Sequence, residues 1–163
     1  MIIVSDTTPL ISLLKINRLN LLEKLYGSVF IPKAVFDELT SNKKFHTEAD
    51  LISAANFIEC KEISDTTALK ILRRITLLDL GESEAIILAQ ELNADVLLMD
   101  EAKGRRVAEQ LGIKISGTLG ILIDSFESGL LSASDVNECL DTLQKSGRRI
   151  SGHLINFIRN YIG

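Results

Sequence analysis

Hydrophobic runs that end at an acidic residue mark two buried strands in this chain. The run 2–4 is β-branched and leads to Asp6, and helix-spaced leucines begin just beyond Pro9. This order predicts a buried strand, a tight turn and a helix start. The run 94–99 ends at Asp100 in the same way. Because chemistry in α/β sheets collects at the carboxyl ends of the strands, Asp6 and Asp100 are candidates for one shared site.

Shorter patterns predict further strands and helices. In chain order, we expect two short helices in 10–25, a strand over 26–31, a helix with Pro32 at its first position, a polar loop over 40–47, a helix over 48–56 and a strand over 57–63. Beyond these we expect a helix over 64–74, a helix capped by Asp79, a helix closed by Gly112 and a strand over 113–115. Two further helices are expected to begin at a Thr118 cap and at Ser134. The last helix is expected to carry an apolar stripe of Leu154, Ile155, Ile158 and Ile162. Alternating strands and helices predict an α/β fold. We expect a three-layer α/β/α arrangement with a central parallel sheet of four to five strands.

Composition narrows the class of protein without naming a function. A chain of 163 residues with 46% hydrophobic content is long enough for one domain with a full core. Its apolar runs are too short to cross a bilayer, and the amino terminus lacks a secretory pattern, so we expect a soluble cytoplasmic protein. Cys60 and Cys139 are far apart and outside metal-ligand spacing, which disfavours a thiolate site or a disulfide. The net charge of −4 leaves nucleic-acid binding open but does not suggest it.

Acidic residues follow turns, strand ends or helix starts at four places in the chain. They are Asp6, Glu38, the pair Glu82 and Glu84, and Asp100 with Glu101. The alternatives that need no site are helix capping for Asp6, a solvated helix position for Glu38 and the helix dipole for the pair Glu82 and Glu84. Asp100 is harder to explain in this way, because a lone carboxylate beside a buried strand is costly. If the fold brings these acids together, a hard divalent cation is the commonest compensation for their repulsion.

Four segments together resemble the PIN-domain ribonucleases. They are Ser5-Asp-Thr-Thr-Pro-Leu-Ile11, the segment 32–39 ending Asp-Glu-Leu, Leu80-Gly-Glu-Ser-Glu-Ala-Ile86 and Leu98-Met-Asp-Glu101. The segments 104–105, 112–113 and 116–120 are similar to a prokaryotic PIN subgroup related to toxin–antitoxin nucleases. The resemblance covers residue 1 to about 131, so 132–163 is interpreted as a carboxyl-terminal helical extension of a single PIN-like domain, 1–163.

The resemblance implies a ribonuclease that uses Mg²⁺ or Mn²⁺ to hydrolyse RNA phosphodiester bonds. By position, Asp6 and Asp100 become the first metal ligands, and Glu38 joins them as a ligand or by orienting metal-bound water. The third acidic position of the family falls on Glu82 or Glu84, and both residues are kept as candidates. The hydroxyl of Thr7 or Thr8 is expected near the scissile phosphate. Lys103, Arg105 and Arg106 are expected to contact substrate phosphates, although an exposed basic helix turn explains them equally well.

The resemblance also implies partners and leaves other functions open. RNA is the expected substrate, a small antitoxin protein is the expected inhibitor, and we expect a homodimer that pairs through apolar helical surface in 10–25 and in the last helix. The main alternative is a catalytically degenerate PIN fold that binds RNA or a partner protein. An aspartate-centred phosphotransfer domain is disfavoured, because the chain lacks a second aspartate at the adjacent turn and a convincing strand-end lysine.

Overall fold

The strands form one all-parallel sheet with the first strand at its centre. The computed structural model describes residues 1–41 and 46–163. Its five strands are β1 (Ile3–Ser5), β2 (Val29–Pro32), β3 (Ile58–Lys61), β4 (Val96–Leu98) and β5 (Ile115–Ser116). They lie in the order β3-β2-β1-β4-β5. The chain therefore builds one half of the sheet from β1 through β3 and then crosses to the other side of β1. The crevice beside the carboxyl ends of β1 and β4 is the switch point at which such sheets bind ligands.

Helices cover both faces of this sheet, as the alternation of elements predicted. Within the described residues they are α1 (Thr7–Lys15), α2 (Leu21–Tyr26), α3 (Lys33–Ser41), α4 (His46–Ala54), α5 (Thr66–Thr76), α6 (Leu80–Glu91), α7 (Ala102–Gln110), α8 (Thr118–Glu127), α9 (Ala133–Lys145) and α10 (Gly152–Ile162). Successive residues of a strand face opposite sides. Accordingly, Ile3 packs into a core with α1, α8, α9 and α10, while Val4 packs with α6 and α7 on the other face. The three-layer α/β/α prediction is confirmed.

Several predicted boundaries are confirmed and others are wrong. Asp79 caps α6, and Gly112 follows α7 with a φ of +78°. Pro32 is the last residue of β2 and not the first of a helix, because α3 begins at Lys33. The cap of α8 is Gly117 and not Thr118, which is already helical. The helix expected from Ser134 begins at Ala133, because Ser132 and Asp135 form a capping box there.

The ends of several other elements shift by a few residues. The strand expected over 26–31 begins only at Val29, because Tyr26 still belongs to α2, and the strand expected over 113–115 is Ile115–Ser116. The strand expected over 57–63 is Ile58–Lys61, and the helix expected over 64–74 is Thr66–Thr76. Helices α3 and α4 extend into both ends of the polar loop expected over 40–47, and its residues 42–45 lie outside the described residues. These shifts move no candidate site residue to another edge of the sheet.

Most leucines of the segment 10–25 are used by the core. Leu10, Leu13, Leu21 and Leu22 are each at most 2% exposed, so they leave little apolar surface for a partner. The exposed apolar side chains lie elsewhere, chiefly Ile71, Ile75 and Leu77 at α5 and Leu154, Phe157 and Tyr161 on α10. Across the described parts of the chain, no helix combines the length and the apolar character that a membrane span requires.

Candidate active site

Asp6 is a buried carboxylate at the carboxyl end of the central strand. It occupies the N-cap position of α1, yet its side chain accepts none of the capping hydrogen bonds that would explain it structurally. Only 4% of the residue is exposed. Burial raises the pKa of Asp6 to about 7, the Thr7 backbone N–H opposes this shift, and the nearby charges of Glu82, Asp79 and Glu38 add to it. Asp6 and these three neighbouring acids form the acidic cluster.

Glu38 reaches this cluster from α3. The Thr7 hydroxyl donates to Oε2 of Glu38 at 2.8 Å, which ties the residue after Asp6 to the helix that carries Glu38. A Cβ at Gly81 would lie only 3.2 Å from the same Glu38 oxygen. The absent side chain at Gly81 therefore lets the first turn of α6, with Glu82, approach Glu38 closely.

The structure gives Glu82 and Glu84 different surroundings. Burial raises the pKa of Glu82, the Asp79 N–H opposes the shift, and the charges of Asp79 and Glu101 add to it. Its Oε2 accepts the Asp79 N–H at 3.1 Å in the capping box of α6. The Glu84 carboxylate instead accepts the Ala34 N–H at 2.8 Å, at the start of α3. Glu82 thus shares the surroundings of Asp6, while Glu84 anchors the helix that carries Glu38.

Asp100 lies at the same edge of the sheet, but its carboxylate is engaged elsewhere. The Asp6 N–H donates to the Leu98 carbonyl at 2.9 Å, so the ends of β1 and β4 are held together. The Asp100 carboxylate accepts the Thr118 N–H at 2.8 Å and the Thr118 hydroxyl at 2.6 Å. Nη2 of Arg148 lies 2.9 Å from its Oδ2. An arginine between α9 and α10 therefore neutralises this carboxylate.

Two acidic residues near Glu82 were not among the site residues proposed from the sequence. Glu101 is the N-cap residue of α7 but makes no side-chain cap hydrogen bond, and its charge raises the pKa of Glu82. The charge of the Asp79 carboxylate adds to the raised pKa of both Asp6 and Glu82. Strand periodicity could have identified Glu101, because the residue after Asp100 is expected to point to the face of the sheet opposite that of Asp100.

Arg105 is partly buried beside Asp100. Its Nη1 donates to the Met99 carbonyl at 2.9 Å, which fixes the guanidinium at the end of β4. Asp100 and Arg105 line a cavity of about 680 Å³, whose walls do not include Asp6, Glu38 or Glu82. The structure therefore separates an acidic cluster from a basic cavity, with the end of β4 between them.

The donor set of the acidic cluster suits a hard cation. Asp6, Glu38 and Glu82 offer carboxylate oxygens, the ligands that Mg²⁺ and Mn²⁺ prefer. Within residues 1–41 and 46–163, Oε1 of Glu38 and Oε1 of Glu82 carry no hydrogen bond that would compete with a metal. In the same residues, no group of three or more His, Cys, Asp or Glu side chains is already arranged to hold a metal ion. Closing the glutamates around a cation therefore requires side-chain rotation.

The comparison with known protein families agrees with the fold described above. The model of the DUF3368 family, described as a PIN domain, matches residues 2–163. No curated protein matches the chain significantly. The match covers nearly the whole sequence and includes β1, β4 and all the acidic residues discussed here. The chain therefore belongs to the DUF3368 family of PIN domains.

Proposed function

We propose that this chain is an endoribonuclease that depends on Mg²⁺ or Mn²⁺. PIN domains are in general metal-dependent ribonucleases, and the observation that carries the proposal here is the buried Asp6 carboxylate. It is flanked by Glu38 and Glu82 at the switch point of the sheet. Like charges in a buried site favour binding of a cation.

Each carboxylate has a defined part in this proposal. A bound divalent ion supplies charge stabilisation at the phosphate and an activated water. Asp6, Glu38 and Glu82 would hold the ion, and Thr7 orients Glu38 through its hydroxyl hydrogen bond. Asp100 lies just beyond β4 at the same edge of the sheet, where Arg148 and Thr118 hold its carboxylate. Glu84 acts through its hydrogen bond to the start of α3.

Metal-dependent cleavage of single-stranded RNA tests the proposal. The wild-type protein should cleave in Mn²⁺ or Mg²⁺ and stop in EDTA, and Asp6→Asn should lose cleavage while its circular dichroism spectrum stays unchanged. Asp6→Asn removes the charge and keeps the shape, so loss of cleavage would reflect chemistry and not packing. Equal cleavage by the wild type and Asp6→Asn would contradict the proposal.

A catalytically degenerate PIN fold that binds RNA or a protein is the second candidate. Two observations favour it: the ion pair that neutralises Asp100 and, in the described residues, the lack of a preformed metal-binding group. Titration with Mn²⁺, followed by the loss of its free electron paramagnetic resonance signal, separates the candidates. A nuclease binds the ion in an Asp6-dependent manner, and a degenerate fold does not.

The nuclease function also implies partners and a location for the protein. As expected from the related toxin–antitoxin nucleases, we propose a small antitoxin protein as inhibitor and the cytoplasm as location. We also propose self-association, supported by the side chains of Ile71 and Ile75 on α5, which are 55% and 75% exposed. Sedimentation tests this point, because a single species at 18.0 kDa across concentrations would contradict a dimer.

A further inference from the structure

A basic cavity lies beside the acidic cluster, on the other side of the end of β4. It is bounded by α7, α8 and the segment that leads into α10, and its volume is about 680 Å³. Its wall carries Arg105, Arg106, Arg148 and Arg149, against the two carboxylates Asp100 and Glu109. We call this feature the arginine cavity. Half of the arginines in the chain line it, although the net charge of the chain is −4.

The four arginines differ in what they already contact. Arg148 pairs with Asp100, and Arg105 donates to the Met99 carbonyl, so both belong to the framework of the wall. Arg106 and Arg149 are exposed. Across 1–41 and 46–163, neither of them makes an ion pair. The cavity therefore presents two positive charges that are available to an anionic ligand.

The wall also carries apolar side chains, and one of them is an exposed aromatic ring. Phe157 on α10 is 59% exposed and lines the cavity together with Leu154, which is 40% exposed. An exposed aromatic side chain beside arginines is the combination that binds single-stranded nucleic acid, because bases stack on the ring and phosphates pair with the guanidinium groups. Single-stranded RNA is the occupant that uses both the positive charge and the exposed ring of this cavity.

The position of the cavity connects it to the proposed chemistry. Asp100 lines the cavity two residues beyond β4, and the Leu98 carbonyl at the end of β4 accepts the Asp6 N–H. A strand of RNA that leaves the acidic cluster across the end of β4 would enter the arginine cavity.

Resting on the proposed nuclease function, we propose that the arginine cavity binds the single-stranded RNA that flanks the scissile bond. Arg106 and Arg149 bind phosphates, and Phe157 stacks on an unpaired base. These contacts read the backbone and the face of a base, so they discriminate weakly between sequences. They favour single strands over duplexes, whose bases are already stacked.

Binding can be measured without cleavage by the fluorescence anisotropy of a labelled single-stranded RNA of mixed sequence in EDTA. The full chain with Asp6→Asn serves as the background. Adding Arg106→Gln and Arg149→Gln should weaken binding about tenfold and reduce the slope of log Kd against log salt by about 0.7 for each arginine. Both residues are exposed, so the fold should persist, and thermal unfolding checks it.

A matched control removes the same charge from another part of the surface. Lys15 and Lys24 are exposed in the last turns of α1 and α2, at the opposite edge of the sheet from Asp6. Lys15→Gln with Lys24→Gln should leave the affinity and the salt slope unchanged. An equal effect of the lysine and arginine pairs would overturn the proposal, because the binding would then reflect overall charge.

Phe157 provides an independent test of base stacking. Phe157→Ala should weaken binding by about fivefold or more, and Phe157→Tyr, which keeps a ring, should restore it. If Phe157→Ala changes sedimentation and leaves RNA affinity unchanged, the ring belongs to a contact between two copies and the stacking assignment is overturned.

The outcomes separate this inference from the nuclease proposal. If the arginine variant binds RNA as tightly as its background and the wild type cleaves RNA, RNA binding by the arginine cavity is contradicted and the nuclease proposal is unaffected. If the wild type cleaves no RNA in Mn²⁺ and the arginine variant still binds RNA more weakly, RNA binding by the arginine cavity is supported and the nuclease proposal is contradicted.

Discussion

Nη2 of Arg148 lies 2.9 Å from Oδ2 of Asp100, and this pair joins the turn after β4 to the segment between α9 and α10. The side chains are only 23% and 10% exposed, so solvent screens the pair less than a surface pair. Arg148 also donates to the Ser12 hydroxyl on α1. One arginine thus connects the carboxyl-terminal helices to the edge of the sheet that carries the acidic cluster.

We predict that Arg148→Ala lowers the free energy of unfolding by about 1–3 kcal/mol, because Asp100 keeps its Thr118 hydrogen bonds but loses its counter-charge. Urea titration measures the change. The control is Arg159→Ala, which breaks an exposed pair with Asp141 and should cost less than about 1 kcal/mol. Equal losses in the two variants would contradict a structural role for the Asp100 pair.

Glu82→Gln and Glu84→Gln should differ in their effect on RNA cleavage. Glu82→Gln should reduce RNA cleavage about tenfold to a hundredfold, because Glu82 lies with Asp6 in the cluster. Glu84→Gln should cleave at close to the wild-type rate, because its amide oxygen still accepts the Ala34 N–H. Initial rates at saturating Mn²⁺ measure both. The reverse order would assign the catalytic role to Glu84.

Loss of the Glu84 side chain should affect stability instead. Glu84→Ala removes the acceptor for the Ala34 N–H at the first turn of α3, and such caps contribute about 0.5–2 kcal/mol. Urea titration should show this loss in the free energy of unfolding. No change would show that the hydrogen bond contributes nothing to the stability of α3.

The raised pKa of Asp6 predicts how stability depends on pH. The pKa is about 7 in the folded chain against 3.8 ordinarily, so between these values the folded state binds more protons than the unfolded state. Stability contributed by Asp6 is therefore present below about pH 4 and is lost as pH rises to about 7. In EDTA, Asp6→Asn should be more stable than the wild type at pH 8, by about 1–4 kcal/mol.

Urea titrations across this pH range in EDTA check the prediction. The difference between Asp6→Asn and the wild type should shrink towards acidic pH, where the wild-type carboxyl is also neutral. Asp50→Asn, at an exposed aspartate, is the control and should keep the wild-type profile. A difference that is constant with pH would show that Asp6 ionises normally.

Gly117 should resist substitution for a steric reason. A Cβ at this position would lie 2.5 Å from Oδ1 of Asp100 and 3.0 Å from Nη1 of Arg105. We expect Gly117→Ala to lower the free energy of unfolding by about 1–3 kcal/mol, because the Asp100 carboxylate must move. Gly152→Ala is the control, since a Cβ there meets no atom within 4 Å. Thermal unfolding of both variants measures the difference, and equal midpoints would contradict the clash.

Local patterns were sufficient to predict much of the fold. The buried runs before Asp6 and Asp100 predicted two parallel strands, and these pair as β1 and β4 with Ser5 opposite Leu98. The caps at Asp79 and Gly112 were also predictable, because a cap depends on a few consecutive residues. Element ends were less predictable. At Thr118, for example, the preceding glycine adopts the extended cap conformation and the threonine is already helical.

The directions of the acidic side chains depended on tertiary structure. The sequence by itself determined that Asp6 and Asp100 follow buried strands, because hydrophobic periodicity is a local property. It did not determine that Asp100 pairs with an arginine 48 positions later, that Glu84 binds the start of α3, or that Glu82 lies beside Asp6. These relations arise between helices that meet only after packing. The free energy of a buried charge depends on the groups packed around it, and those groups come from distant parts of the chain.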